Sequence, residues 1–206
     1  MERLFPIFVK LRGRRVLVVG GGKVAEGKIL GLLDTGATIQ VVALEASQRV
    51  REWATSGRLA LEERGFQTSD LEGVFLAVVA AAAAPVQERV FAEAQLRGIL
   101  LNVVDVPGQC DFFYPAVVRR GDLQIAISTS GQSPVLAQRL RQQLERLLGE
   151  GYASWVAELG ETRRRVLGSD LSQKQKQFLL HSLASREAFE AMAWGEGSQP
   201  SQGEGT

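Results

Sequence analysis

Arg15-Val-Leu-Val-Val-Gly-Gly-Gly-Lys-Val-Ala25 is the stretch whose reading decides the fold. Its first five residues form a short apolar, β-branched run, the pattern of a buried strand. Three glycines follow, and then Val24, Ala25, Ile29, Leu32 and Leu33 recur at helical spacing as far as Gly36, which punctuates the segment as a C-cap does. Strand, glycine turn and helix in that order open a βαβ unit.

The turn has two registers. Gly22-Lys-Val-Ala-Glu-Gly-Lys28 spells G-x-x-x-x-G-K, but Ile29 follows, and an isoleucine has no hydroxyl for the magnesium ion that such a loop holds. Helical periodicity also starts near Lys23, which puts Gly27 and Lys28 inside the helix. The register Gly20-Gly21-Gly22-Lys23-Val24-Ala25 instead fits G-x-G-x-x-A. There Gly20 allows the tight turn, Gly22 lets the backbone approach a pyrophosphate, and Ala25 permits close helix-to-strand packing, with the helix N-terminus facing the phosphates. The plainer reading is a turn that only joins strand to helix. At the first strand of a βαβ domain the dinucleotide is preferred. Leu44 and Glu45, just beyond the second strand, are the candidates for its adenosine side; Arg49 keeps NADP open, and NAD is favoured.

Outward from this turn, strands are expected at Thr38–Ala43, Leu59–Glu63, Val74–Val79 and Ile99–Val104. Helices are expected at Ser47–Ala54, with Val50 and Trp53 inward, and at Pro85–Leu96. Strands alternating with helices predict a Rossmann-like α/β domain over residues 1–114, a doubly wound parallel sheet. After Pro115 the rhythm changes. Leu123–Ser128 alternates like a strand, and Ser133-Pro134 starts a helix through Leu136, Leu140, Leu144 and Leu147. The segment 115–150 is too small to bury a core of its own, so it is expected to dock against a second copy of the chain. Residues 151–194 read as a helical domain and 195–206, polar and glycine-rich, as a disordered tail.

The bulk properties limit the partners. With 206 residues, 45% hydrophobic, and a formal net charge of +1, the chain has no global basic field, and no nucleic-acid partner is expected. One cysteine and one histidine cannot supply a Cys/His zinc site, and no metal ligands are assigned. No apolar run reaches the roughly 20 residues that span a bilayer. A cytoplasmic protein without membrane contact is expected.

Ligands of open α/β sheets sit at the carboxyl ends of the strands. There Asn102-Val-Val-Asp105-Val-Pro107 presents a carboxylate. Asp105 either takes up a proton during an oxidation or merely forms the turn before Pro107, and spacing alone leaves both readings open. Ser128-Thr-Ser-Gly-Gln-Ser133 is a hydroxyl-rich loop entering a helix N-terminus, suited to carboxylates, with Arg119, Arg120, Arg139 and Arg141 nearby in sequence. Alternatively Ser133 is only an N-cap and the arginines a solvated face. Neither Cys110 nor His181 has a partner at catalytic or ligand spacing.

These residues together resemble the precorrin-2 dehydrogenase family, which includes the dehydrogenase and ferrochelatase part of siroheme synthase. The likeness runs through Leu4-Phe-Pro-Ile-Phe8, Val18-Val-Gly-Gly-Gly-Lys-Val-Ala25 with Lys28, Asn102–Pro107, Cys110-Asp-Phe-Phe-Tyr-Pro-Ala116 and Arg120–Ala137. It implies oxidation of precorrin-2, a tetrapyrrole substrate, to sirohydrochlorin with NAD, and in some members insertion of ferrous iron. It also implies that Asp105 is the general base and guides metal insertion, and that Asn102 helps to place the tetrapyrrole. Lys23, Val24, Leu44 and Glu45 would contact NAD, and Ser128, Thr129, Ser130 and Gly131 would form the substrate loop of a homodimer. The run Ala80–Ala84 departs from the family, which tends to carry polar residues there. The methyltransferase domain fused in some relatives is not part of this sequence, so precorrin-2 is expected to come from elsewhere. The competing expectation is a non-catalytic NAD-sensing or tetrapyrrole-carrying module.

Overall fold

The computed structural model describes residues 3–190 except 82, 186 and 188. The expected tail at 195–206 and the end of the helical domain at 194 lie outside the described residues. The chain divides between Tyr114 and Pro115 into two compact units, the second including Leu4 at the N-terminal side.

The first unit is a doubly wound sheet. Its strands β1 (Arg15–Gly21), β2 (Thr38–Ala46), β3 (Ala60–Glu63), β4 (Val74–Val79) and β5 (Leu100–Val103) lie in the order β3-β2-β1-β4-β5, and every neighbouring pair is parallel. Helices α1 (Lys23–Leu30), α2 (Gln48–Thr55) and α3 (Ala84–Arg97) supply the crossovers. Side chains alternate across a strand, so the apolar run of β1 serves both faces. Val16 and Val18 pack with Ala25, Ile29, Val50 and Trp53, whereas Leu17 and Val19 pack with Val90, Ala94 and Leu101. Leu17 is fully buried, and its truncation to alanine would cost about 2–5 kcal/mol.

Strand order reverses beside β1, which leaves a crevice between β1 and β4 at their carboxyl ends. Two boundaries there differ from the sequence expectation. Helix α1 stops at Leu30 rather than running to Gly36: the amides of Leu32 and Leu33 both donate to the Ile29 carbonyl, and the Thr35 hydroxyl donates to the Leu32 carbonyl at 2.6 Å. Leu32 nevertheless stays buried. Strand β2 continues to Ala46. Between the pairs Val19–Val42 and Gly21–Ala46, β1 advances two residues while β2 advances four, and the excess pushes Leu44 and Glu45 out of the ladder.

In the second unit, β6 (Ala116–Arg120) and β7 (Leu123–Ile127) form an antiparallel hairpin. Helix α4 (Pro134–Leu147) packs on it, and α5 (Gly151–Leu167) packs on β7 and on α6 (Gln173–Leu183). Among the described residues, Ala116, Val118, Ala137 and Val166 are its buried apolar side chains. Ser133 caps α4 through its hydroxyl, which accepts from the Leu136 amide at 3.2 Å, and Pro134 occupies the first turn. The C-terminal end of α4 is held by Arg120, whose guanidinium donates to the carbonyls of Glu145 and Leu148, each at 2.8 Å. Arg120 is thereby a helix cap, and of the four arginines named from sequence it is the one committed to main-chain oxygens in this way.

Candidate active site

The glycine turn is shaped by three different constraints. Gly20 has φ of 113°, and a Cβ there would lie 2.7 Å from the Ala80 carbonyl oxygen, so the end of β1 closes directly on the exit of β4. A Cβ on Gly21 would meet the Glu45 carbonyl oxygen at 2.9 Å. At Gly22 the same test finds open space, with no protein atom within 4 Å. Gly20 and Gly21 are small because the protein crowds them, whereas Gly22 faces open space. Ala25, behind it, is fully buried.

Helix α1 begins at Gly22 without a side-chain cap, whereas serines cap α2, α4 and α6. Its first intrahelical bond runs from the Glu26 amide to the Gly22 carbonyl, which leaves the amides of Lys23, Val24 and Ala25 at the helix entrance. An anion fits this chemistry. Lys23 is exposed and reaches Glu26 at 3.5 Å. Glu26 is itself buried, and a hydrogen bond from the Ser47 hydroxyl is the main reason that its carboxyl sits below the usual range. Glu26 thus ties α1 to the β2–α2 junction rather than confronting the turn as a bare charge.

At the end of β2, Leu44 and Glu45 are exposed, as is Val24 at the start of α1. Arg49 stacks on the Trp53 ring at 5.1 Å, and Arg51 is paired with Glu63 through bonds of 2.9 and 2.8 Å. The apolar surface of Val24 and Leu44, with a carboxylate beside it and the neighbouring arginines engaged, suits an adenosine with a free 2′-hydroxyl better than one with a 2′-phosphate.

Asp105 follows β5 and is exposed, with φ of 63°. Only Asp105 and Ser130 among the described non-glycine residues have positive φ, and both are candidate residues. Such backbone is tolerated where the surroundings enforce it, and it gathers at functional sites. Asn102 is buried; its amide nitrogen donates to the Phe112 carbonyl at 2.8 Å and approaches Cys110 Sγ at 3.5 Å. In this chain it anchors the segment that carries Asp105, so its amide nitrogen is engaged within the protein. The Cys110 thiol donates to the carbonyls of Val103 and Val106, and burial raises its pKa, so it is no nucleophile.

In the second unit, the loop 128–133 is built on its own hydroxyls. The Ser130 amide donates to Ser128 Oγ at 3.1 Å and the Ser133 amide to Thr129 Oγ1 at 3.0 Å. Each hydroxyl accepts from the loop and retains its own proton for donation. Ser130 and Gly131 have φ of 50° and 79°, which turns the loop sharply into α4. Arg141 is engaged by Glu145 and Gln138.

Comparison with known proteins is decisive at this point. Residues 7–116 match a family model described as NAD(P)-binding, and residues 120–147 match the central domain of sirohaem biosynthesis proteins. The solved structure of SirC, precorrin-2 dehydrogenase, superposes with a TM-score of 0.78 at 31% identity, covering 92% of this chain and 94% of that one. The chain belongs to the precorrin-2 dehydrogenase family. It is also 40% identical over 172 residues to siroheme synthase of Photorhabdus laumondii, covering 84% of this chain and 37% of that protein. It is 42% identical over 161 residues to that of Citrobacter koseri, covering 78% of this chain and 35% of that protein. The chain therefore spans little more than a third of these curated relatives.

Within this precorrin-2 dehydrogenase fold, one residue escaped the assignment of roles from sequence. Lys28 lies one turn of α1 beyond the buried Ala25, and its ammonium is 4.2 Å from the centre of the Tyr114 ring. The signal was faint, a lysine one turn from buried Ala25, because its partner lies 86 positions away and no local spacing points to it. At the start of the alanine run, Ala80 crowds Gly20 and packs on the core, and the Ala81 carbonyl accepts from the Gln87 side chain at 2.7 Å. Among the described residues, no group of three or more His, Cys, Asp or Glu side chains could hold a metal ion, and no helix is long and apolar enough to cross a membrane.

Proposed function

We propose that this protein oxidises precorrin-2 to sirohydrochlorin with NAD, as a step in siroheme biosynthesis. The observation that carries the reading is the likeness to SirC over nearly the whole of both chains. The dinucleotide suits the open side of Gly22 and the uncapped start of α1, where the amides of Lys23, Val24 and Ala25 would receive the pyrophosphate; Gly20 and Gly21 let the turn pack closely against the ends of β4 and β2, and Leu44 and Glu45 would take the adenosine end. Bound there, the nicotinamide supplies the hydride acceptor. Asp105 accepts the proton that leaves the macrocycle as the hydride departs, so the substrate loses one hydride and one proton. Ser128, Thr129, Ser130 and Gly131 offer hydroxyl and amide donors to the substrate's carboxylates, and Asn102 fixes the Asp105 segment.

We extend the proposal to a homodimer, formed through the second unit, and to a cytoplasmic site of action, in keeping with a chain whose single cysteine needs no oxidising compartment. Ferrous iron is proposed as a further substrate, with Asp105 taking protons from the pyrrole nitrogens while the macrocycle provides the ligands.

The test is to incubate the purified protein with precorrin-2 and NAD and to follow sirohydrochlorin absorbance. Conversion is expected. Tetrapyrrole and NAD binding without conversion would favour a carrier or sensor instead. For the second activity, iron insertion into sirohydrochlorin no faster than in protein-free buffer would remove the ferrochelatase role and leave the dehydrogenase standing.

A further inference from the structure

We propose that Glu63, the last residue of β3, determines the choice between NAD and NADP: it holds the Arg51 guanidinium in a closed fork and so withholds from a 2′-phosphate the cation that would otherwise receive it. This rests on the dinucleotide part of the reading above and deepens it, because it assigns cofactor choice to a residue outside both the glycine turn and the end of β2.

Strand β3 brings Glu63 to the adenosine end. In the parallel ladder its partner is Ala43 of β2, and Glu45 lies two positions further along that strand. Leu61, two residues before Glu63 and so on the same face of the strand, packs against the cluster that holds Ala25 and Ile29 of α1 and Val50 and Trp53 of α2. Glu63 therefore lies on the face of the sheet that these two helices cover. The loop that follows comes close to the adenosine side as well, since a Cβ on Gly65 would stand 3.9 Å from Leu44 Cδ2. From α2, one turn after the Ser47 cap, Arg51 donates through Nε to Glu63 Oε1 at 2.9 Å and through Nη2 to Oε2 at 2.8 Å. These paired bonds occupy the edge of the guanidinium with which an arginine grips a phosphate in the same bidentate manner. In keeping with this placement, the Arg51 pKa is raised chiefly by Glu63, and Glu45 contributes in the same direction.

The neighbouring arginines are placed differently. Arg49 stacks on Trp53, about 200° around the α2 axis from Arg51. Arg64 is held by Glu62 and, at 2.9 and 2.6 Å, by the buried Asp70. The Arg51–Glu63 pair is half-exposed, a setting in which one ion pair is worth little and a change of partner costs little. A 2′-phosphate at the end of β2 would meet the carboxylates of Glu45 and Glu63 while Arg51 is occupied. With the Glu63 charge removed, Arg51 becomes the cation that such a phosphate needs.

The experiment titrates the cofactor-free protein with NAD and with NADP by calorimetry, without tetrapyrrole and at low salt. For Glu63→Gln, whose amide offers the fork one acceptor in place of two, the Kd for NADP should tighten by about tenfold while that for NAD stays within about twofold. Glu63→Ser, a second way of opening the fork, should shift the ratio in the same direction. Adding Arg51→Met to either variant should abolish the gain, whereas adding Arg49→Met should not. The gain should shrink as salt is added, because it comes from a half-exposed cation. Unchanged NADP affinity in both Glu63 variants, a gain that survives Arg51→Met, or a gain that Arg49→Met removes would overturn the proposal, as would a native protein that binds neither dinucleotide. Failure to oxidise precorrin-2 with the affinity ratio shifting as described would discard the dehydrogenase reading and leave the role of Glu63 standing.

Discussion

Asp105 holds a backbone conformation that an L-residue adopts at a cost of roughly 1 kcal/mol, with aspartate among the more tolerant types. Its substitutions should therefore separate strain from chemistry. Asp105→Asn is expected to fold normally, bind NAD, and lose at least about 100-fold in oxidation rate, as measured by sirohydrochlorin formation. Asp105→Gly removes the strain, partly offset by the greater freedom of the unfolded chain, and should melt no lower than the native protein while being just as inactive. Asp105→Ala should be the least stable of the three. The position of this carboxylate was legible from the sequence because it follows a strand; its conformation was not, because spacing carries no information about φ. Glu45 illustrates the converse. Sequence alone ends its strand at Ala43, whereas the excess residues in β2 carry the ladder to Ala46 and leave Glu45 near the strand's end, the position at which a ribose-binding carboxylate is expected. Glu45→Ala should narrow the preference for NAD over NADP, measured as the ratio of kcat/KM values.

At the scale of the element, the glycine turn makes opposite predictions two residues apart. Gly20→Ala forces a Cβ against the Ala80 carbonyl at a φ of 113° and should cost stability, by about 2 kcal/mol or more in urea unfolding. Gly22→Ala meets no protein atom and sits at φ of −81°, so it should fold as well as the native chain yet bind NAD weakly. The motif was readable as a motif, but sequence alone could not divide its glycines into those crowded by protein and the one left open. A second element responds to pH. Asp70 is a buried member of the 310 turn Thr68–Leu71; burial by itself would raise its pKa, but the hydrogen bonds from Arg64 and the Gln67 amide, with the Arg64 charge, outweigh burial and leave the carboxyl below its ordinary value. A folded-state pKa depressed in this way stabilises the protein above the unfolded carboxyl's pKa, and that contribution is lost as pH falls through the folded value. Asp70→Asn should flatten the decline of melting temperature below about pH 4 and lower stability by about 2 kcal/mol at neutral pH.

For the whole molecule, the sheet was the most legible part because its strands are near-continuous apolar runs whose alternating faces both need cover. The second unit was harder. It buries few apolar side chains, and Val135, Leu136, Leu140 and Leu147 remain exposed along α4. A second copy is the expected cover, and sedimentation should find a dimer that Leu136→Glu with Leu140→Glu converts to monomer. Charge added on that face should leave NAD binding by the first unit intact.

The sheet itself is finished at both margins. On one side β3 is four residues long and ends in Glu62 and Glu63, a short, charged border. On the other, the chain doubles back so that Asp111 clasps β5: its amide donates to the Leu101 carbonyl at 2.7 Å, and its carboxylate accepts from the Leu101 amide at 2.9 Å. One residue thus occupies both hydrogen-bonding groups that a stray strand would seek at Leu101. An open flank of a parallel sheet is a place where stray strands can add, so Asp111→Ala is expected to shorten the time the protein stays in solution on heating.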